Sequence, residues 1–324
     1  MKLKQLYFYL IFILVGIGCQ KVIEFNGEIT EPLVVVNSLV TPDSIVSAQV
    51  SLSRFFLSSQ STFNLIDTAN VALYVNGVLK ETLTNKSNGV YIGTYKPLVN
   101  DSVSLMVQVA GKKAVSCGST ILSKVSIISV DTSSILTGNN IPIVSYTVSG
   151  TGASIPDTIG YTKERKLSFV LNFSDNAAAR NYYRLSLTNK TTSGSKVSYS
   201  YSFNFDDIVS GNNNQDNVGP PTSLVSNKFN VFNDDLFNAK QYPLKFSMTY
   251  SKNVYLPGHS KSQPAREVYI NLQSISRSYY LYLQTRAGIK TNTFFAEPVQ
   301  VYTNVDGGTG IMGSYTSNVV KFTL

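Results

Sequence analysis

Apolar residues alternate with polar ones along much of this chain, and this alternation constrains the fold more than any other feature. It is clear from Val46 to Leu52, from Val71 to Val75 and from Val103 to Val109. A period of two places every second side chain on the same face, which is typical of half-buried strands. Asn76-Gly77 lies between apolar residues and predicts a tight hairpin. The pattern therefore predicts an all-β chain, mostly antiparallel.

We predict two folded domains from the spacing of strands and turns. Residues 32–124 contain short strands with frequent turn signals, which favours an immunoglobulin-like β-sandwich. Residues 125–324 predict a larger β sandwich or barrel-like domain, in which 132–163 form a long loop or an elaborated edge. One short helix is expected at 276–287, since Ser276 can cap its first turn and large side chains follow at helical spacing.

The N-terminal residues predict export from the cytoplasm. Lys2 and Lys4 precede an apolar run from Leu6 to Val15, and small residues follow. This order is typical of an export signal. The run is shorter than the roughly 20 apolar residues that span a bilayer. We therefore predict a signal peptide at residues 1–18.

Cys19 follows the small residues and is the predicted lipidation site. A cysteine in this position resembles a bacterial lipobox, in which the thiol is acylated and the chain is cut before it. Gly16 stands where a lipobox usually has leucine. A plain secretory signal or an uncleaved anchor is the alternative. Residues 19–31 are mostly polar and predict a tether between the lipid and the first domain.

The net charge of +8 is spread thinly over 324 residues, with no basic block longer than pairs such as Lys112-Lys113. A nucleic-acid footprint is clustered on one face or stripe, so we expect no nucleic-acid partner. The chain has two cysteines. If Cys19 is acylated, Cys117 has no partner for an internal disulfide. We expect Cys117 to act as a small buried hydrophobe.

No catalytic constellation is recognisable in the sequence. The one histidine, His259, lies in a predicted loop, and no Gly-x-Ser-x-Gly motif accompanies it. Isolated His and Cys residues do not form a zinc site. We predict no catalytic residues, no metal and no cofactor. Two alternatives stay open: a pair of carboxylates for glycoside hydrolysis, which spacing does not reveal, and calcium binding at 212–217, which the irregular spacing does not favour.

A literal Gly-x-Gly-x-x-Gly occurs at Gly308, Gly310 and Gly313. A dinucleotide site requires a helix after the glycines and then a returning strand with an acidic residue. Only a short, strand-like segment follows Gly313. We expect these glycines to serve a tight turn or a close approach of two backbones.

Aromatic residues alternate in the segment 197–205, which predicts one strand with a large apolar face. The members of this face are Val197, Tyr199, Tyr201, Phe203 and Phe205. The simplest interpretation is a strand that covers the core. The four aromatic residues are also the weak candidates for a platform that binds a peptide or a glycan.

Several stretches, in order along the chain, resemble the domain of unknown function 4249 family of lipoproteins of the Bacteroidota. They are Glu31–Val35 with Thr41–Asp43, Asn181–Leu185, Phe232–Phe237, Ser274–Tyr282, and Glu297–Tyr302 with Gly310-Ile311. The sequence departs from the family at Gly16 and at Ala239, where glycine is expected. The resemblance implies an outer-membrane lipoprotein, often encoded beside a SusC-like TonB-dependent transporter, and it brings no catalytic residues.

These observations together give an expectation for the function. We expect a non-enzymatic accessory protein, held on the outer membrane by its N-terminal lipid and facing the cell surface, with the periplasmic face as the alternative. It would bind a TonB-dependent transporter, the peptide or glycan that the transporter imports, or both. A surface hydrolase with an unrecognised carboxylate site and a structural or adhesive surface protein are the other readings.

Overall fold

The computed structural model describes residues 31–54, 62–138, 140–176, 179–201, 203–205, 207–210, 228–259, 261, 263–289 and 300–324. No helix among these residues is long and apolar enough to cross a membrane. The signal peptide at 1–18, the lipidation site Cys19 and nearly all of the tether lie outside the described residues. The segment 212–217, the calcium alternative, also lies outside them.

The described residues are mostly strands, which confirms the all-β prediction. The strands of the first half are β1 (Val34–Val40), β2 (Ser47–Leu52), β3 (Asn64–Leu65), β4 (Asn70–Val75), β5 (Val78–Thr82), β6 (Thr84–Asn85), β7 (Val90–Ile92), β8 (Ser102–Gln108) and β9 (Val115–Thr120). The later elements are β10 (Ser126–Leu136), β11 (Ile141–Val148), β12 (Ser154–Ser174), β13 (Tyr182–Ser193), β14 (Lys196–Ser200), β15 (Asn204–Phe205), α1 (Asp207–Ser210), β16 (Val231–Asn233), β17 (Gln241–Tyr255), β18 (Ala265–Ile275), α2 (Arg277–Ala287) and β19 (Thr309–Thr323).

The first half folds as a sandwich of two sheets. Strands β1, β2, β7 and β6 lie in one sheet with β3 at its side, and the order β5-β4-β8-β9 forms the other. Alternate residues of both sheets, such as Val36, Val50, Leu73 and Leu105, meet in one buried cluster. The predicted hairpin at Asn76-Gly77 is confirmed, because both residues have positive φ and Val75 pairs with Val78.

The second half is a larger sandwich. The order β10-β12-β17-β15, with β11 beside β12, packs against the order β14-β13-β18-β19. Its core is rich in aromatic rings: Phe169 stacks on Phe246 with ring centroids 5.0 Å apart, and Phe173 meets Tyr183 edge-on at 5.3 Å. The domain boundary between residues 124 and 125 stays a prediction. The core of the first sandwich also contains Val305, from near the C-terminus.

The last strand, β19, joins the two sandwiches in one ten-stranded sheet. Its first part, Thr309–Ser314, pairs parallel with β1, and its second part, Tyr315–Thr323, pairs antiparallel with β18. Two side chains of the second part, on alternate positions, bond to the connection that leads out of β9. Thr316 Oγ1 donates to Ser123 O at 3.1 Å, and Asn318 Nδ2 donates to Val125 O at 3.0 Å.

The glycine motif serves the close approach that the sequence predicted. A Cβ added at Gly308 would lie 2.5 Å from Val34 O, and one at Gly310 would lie 2.2 Å from Val36 O. Gly310 also has a φ of +113°, which L side chains rarely adopt. At Gly313 an added Cβ would lie 2.7 Å from Tyr279 Cβ of helix α2. The motif therefore allows β19 to contact β1 and α2 directly.

The predicted helix is confirmed as α2. Ser276 has an extended backbone and its Oγ accepts a hydrogen bond from Tyr279 N at 3.3 Å, as an N-cap residue does. Tyr279, Tyr280 and Leu283 are buried. The expectation for residues 132–163 is confirmed as an elaborated edge, because most of them belong to β10, β11 and β12.

One sequence prediction about the strands is wrong. The segment 197–205 is not a single strand: Lys196–Ser200 pairs with β13, whereas Asn204–Phe205 pairs with β17 in the opposite sheet. Alternation specifies the faces of a strand and leaves its partner open, and here the chain crosses from one sheet to the other between the two pieces.

We expect Gly310→Ala to lower the free energy of unfolding by at least about 2 kcal/mol, because the added methyl group meets Val36 O at a backbone conformation that alanine disfavours. Chemical denaturation measures this. Gly150→Ala is the matched control, since nothing lies within 4 Å of its added Cβ and its φ is not positive. The control is expected to stay within about 0.5 kcal/mol of wild type. Equal effects of the two substitutions would contradict the role of Gly310.

Candidate functional site

A cleft of about 700 Å³ lies where the two sandwiches meet. Most of its walls come from three parts of the chain that are far apart in sequence: 119–126, which connects the sandwiches, 174–176 with 179–183, before and within β13, and 274–278 at the start of α2. The bonds from β19 to Ser123 and Val125 hold the first wall. Most lining side chains are serine, asparagine or other hydrogen-bonding residues.

Two buried carboxylates fix the second wall. Asp175 accepts a hydrogen bond from Tyr183 Oη and another from Ala239 N at 2.8 Å. Asp234, almost fully buried, accepts a hydrogen bond from Asn181 N at 2.8 Å. Burial and the hydrogen bond to Asp175 raise the pKa of Tyr183 above its ordinary value, so this hydroxyl remains a donor. Both carboxylates therefore serve to position loops.

Aromatic rings and a guanidinium stand beside the cleft. The rings of Tyr182 and Tyr280 lie with centroids 4.7 Å apart. The Arg180 guanidinium lies 5.9 Å from the centroid of Tyr182 and forms an ion pair with Asp235. Partial burial opposes the charged form of Arg180, but the nearby Asp235 carboxylate raises the pKa of this guanidinium. The Tyr182 phenol is thus held between an aromatic partner and a cation.

The third wall is the N-terminus of α2. Ser276 and Ser278 line the cleft with Arg277, which is exposed, and the first turn contains no acidic residue. Lys124 lies in the first wall, 3.7 Å from an oxygen of Asp43. Hydroxyl groups, amides and the three cations Lys124, Arg180 and Arg277 can together hydrogen-bond a small polar molecule.

The residues that the sequence singled out lie elsewhere. His259 is in an exposed loop, and its Nε2 is 4.0 Å from an Asp157 oxygen. Cys117 is buried, as expected, and burial raises the pKa of its thiol to about 12. In the described part of the chain, no three His, Cys, Asp or Glu residues form a cluster that could hold a metal.

The four aromatic candidates do not form one platform. Tyr199 and Tyr201 are 57% and 69% exposed, whereas Phe203 and Phe205 are half-buried against the core of the second sandwich. The role of these four residues in binding a ligand stays a prediction.

No pattern in the sequence predicted that the cleft residues form a site. Arg180, Arg277 and Lys124 carry no motif, and they come together only in the folded chain. One signal pointed to the region: three of the stretches that resemble the 4249 family, Asn181–Leu185, Phe232–Phe237 and Ser274–Tyr282, supply the residues in and directly behind the cleft walls.

The fold and the cleft define an all-β protein of two sandwiches that share a C-terminal strand. A family model described as "Domain of unknown function (DUF4249)" matches residues 20–319. Because this match covers most of the chain, the chain belongs to the DUF4249 family. Nothing among the curated proteins matches it.

Among solved structures, the chain is similar to a crystal structure described as a membrane anchored protein from Corynebacterium diphtheriae. The two share 9% sequence identity, and the TM-score is 0.21. The match covers 77% of this chain and 56% of that one, so it spans about half of the other protein. At this TM-score the likeness supports no conclusion about fold or function.

The departure from the family at Ala239 has a structural consequence. Ala239 has a φ of +63°, a left-handed conformation in which its N–H donates to the buried Asp175. This conformation costs an L side chain about 1–2 kcal/mol and costs glycine little. The glycine expected at this position therefore fits the backbone better than alanine does.

We predict that Ala239→Gly raises the free energy of unfolding by about 1 kcal/mol, since relief of the left-handed strain exceeds the added freedom of the unfolded chain. Denaturant midpoints at a common slope measure the change. Ala153→Gly is the control, because Ala153 is exposed and its φ is not positive. The Ala153→Gly substitution should lower the free energy of unfolding by about 0.5 kcal/mol. A loss of stability at both positions would show that Ala239 is unstrained.

Proposed function

We propose that this protein is a non-enzymatic lipoprotein of the outer membrane that assists a SusC-like TonB-dependent transporter. It is anchored through acylated Cys19 and faces the cell surface. It binds the transporter, the peptide or glycan that the transporter imports, or both. The predicted lipobox and the family resemblance support the proposed location at the outer membrane. The cleft between the sandwiches supports the binding role.

The cleft is the observation that carries the proposal. Its volume of about 700 Å³ falls within the range of roughly 300–1,000 Å³ typical of small-molecule sites. Peptides and glycans carry many hydrogen-bond donors and acceptors, which match the serine and asparagine groups of the walls. Asp175 and Asp234 already accept hydrogen bonds that position backbone, so they favour a rigid binding site over acid–base catalysis.

The first part of the test identifies the partner. The full chain, tagged at the C-terminus and purified from detergent-solubilised outer membranes, is expected to bring down a TonB-dependent transporter in near-equal amount by mass spectrometry. The Cys19→Ala variant, which has no thiol to acylate, should no longer fractionate with the outer membrane. Recovery of the wild-type protein in the cytoplasm, or without a lipid, would overturn the proposed location at the outer membrane.

The second part tests the cleft with the substrate of the transporter so found. Calorimetric titration should give binding to the wild-type protein, weakened at least roughly tenfold by Arg277→Ala, because a charged hydrogen bond contributes about 1.5–3 kcal/mol. Lys196→Ala removes an exposed cation outside the cleft and is expected to bind normally. Turnover of the substrate would favour the hydrolase. If the protein binds neither a transporter nor a ligand, the result would favour a structural or adhesive surface protein.

A further inference from the structure

A long hairpin extends beyond the core of the second sandwich. Its returning strand, β12, is 21 residues long, and β10 and β11 follow one another along the same edge of it. Strand β17 flanks the other edge of β12 only as far as Gly160. We call the outer part of this hairpin, residues 141–162, the distal hairpin. Strand β11 is its longer free edge, since in the described structure it pairs with β12 alone. The outer part of β12 is also without a strand on its other side, but Pro156 and Asp157 make it a poor pairing edge.

The backbone of β11 offers unpaired groups at every second residue. Ser149 N donates to Ala153 O at 2.8 Å, which makes these two residues a hydrogen-bonded pair of the antiparallel ladder. Alternation then directs the backbone groups of Ser145 and Thr147 toward β12. The N–H and C=O groups of the residues between and beside them, Val144, Tyr146 and Val148, point outward. Pro156, which has no N–H, lies opposite Tyr146, in agreement with this pattern.

The same three residues present apolar side chains on one face. Val144 is 38% exposed, Tyr146 66% and Val148 76%. The register with β12 places them on the side of the sheet that faces the core further along, next to Tyr161. The exposure of the three side chains shows that this apolar face continues beyond the part that the core of the second sandwich covers. Exposed apolar surface of this kind marks an interaction site.

The free edge lacks the charges that usually protect one. No charged side chain occurs from Thr132 to Pro156. Other edge strands of this protein do carry charge: β5 contains Lys80 and Glu81, and β14 contains Lys196. Charged side chains on an edge oppose pairing with another chain. Charge thus protects two other edges, whereas β11, the longest of the uncharged edge strands in the described structure, is left open to a further strand.

We infer that β11 pairs antiparallel with β11 of a second copy of this chain, about a two-fold axis at Tyr146. In this register Tyr146 faces Tyr146 of the other copy, and Val144 faces Val148. The apolar face is then matched with itself, and on the other face Ser145 lies opposite Thr147. A two-fold interface requires such self-complementarity. A charged strand from another protein would leave the three apolar side chains unmatched.

The absence of charged side chains at the two-fold axis also favours pairing of two copies, because the chain has a net charge of +8. Two copies repel each other, and like charges directly opposite on paired strands destabilise the pairing further. In the inferred register no charged residue of the distal hairpin meets its own copy at the axis. The inference is independent of the cleft and of any transporter, because it rests on the edge alone.

The test is the mass of the full-length chain in mild detergent by sedimentation velocity, up to about 100 µM. We expect a dimer. Tyr146→Lys places two lysines opposite each other and should raise the dissociation constant at least roughly tenfold. Tyr199→Lys is the matched control: it changes an exposed tyrosine on the edge strand β14, and it should dimerise as wild type. At protein concentrations too low for dimer formation, both substitutions are expected to leave the thermal midpoint of the monomer unchanged.

A charge exchange tests the register itself. Tyr146→Lys and Tyr146→Glu should each be monomeric at concentrations where wild type is a dimer, and an equal mixture should form a heterodimer, because opposite charges then meet at the axis. A wild-type chain that stays monomeric throughout would overturn the inference. So would a dimer that Tyr146→Lys leaves intact, or a free edge occupied by another membrane protein in the preparation.

Discussion

The pairing of β19 with two different neighbours is the interaction on which the rest of the structure depends. Val36 pairs with Gly310 in the first sandwich, and Ile275 pairs with Tyr315 in the second, so one backbone belongs to both. Gly310 makes the first contact sterically feasible. The side chains of Thr316 and Asn318 then bond the connection between the sandwiches. The positions of the first and third walls of the cleft follow from this one strand, which also bonds Ser276 at the start of α2.

The cleft and the free edge of β11 present different chemical groups. In the cleft, buried carboxylates fix loops, and polar groups remain available at the surface for a ligand. At the distal hairpin, by contrast, backbone groups and apolar side chains are left without partners in the described structure. A binding site for a small molecule and an interface with another chain need these two different kinds of surface.

Local features of the sequence predicted local structure well. The Asn76-Gly77 hairpin, the cap at Ser276 and the close approach at Gly310 each depend on a few neighbouring residues. Strand partners were not predictable, because alternation gives only faces: the 197–205 segment divides between two sheets, and β19 reaches across the chain to β1. The cleft was missed for the same reason, since its walls come from three distant segments.

The most direct test of this account is native-state hydrogen exchange across β19. If the strand makes the two sandwiches one cooperative unit, amides of 309–314 and of 315–323 will exchange at the same slow rate, through global unfolding. The amides of β1 will follow them. If 309–314 and β1 exchange quickly while 315–323 remain protected, the sandwiches open independently, and the central role of β19 is wrong.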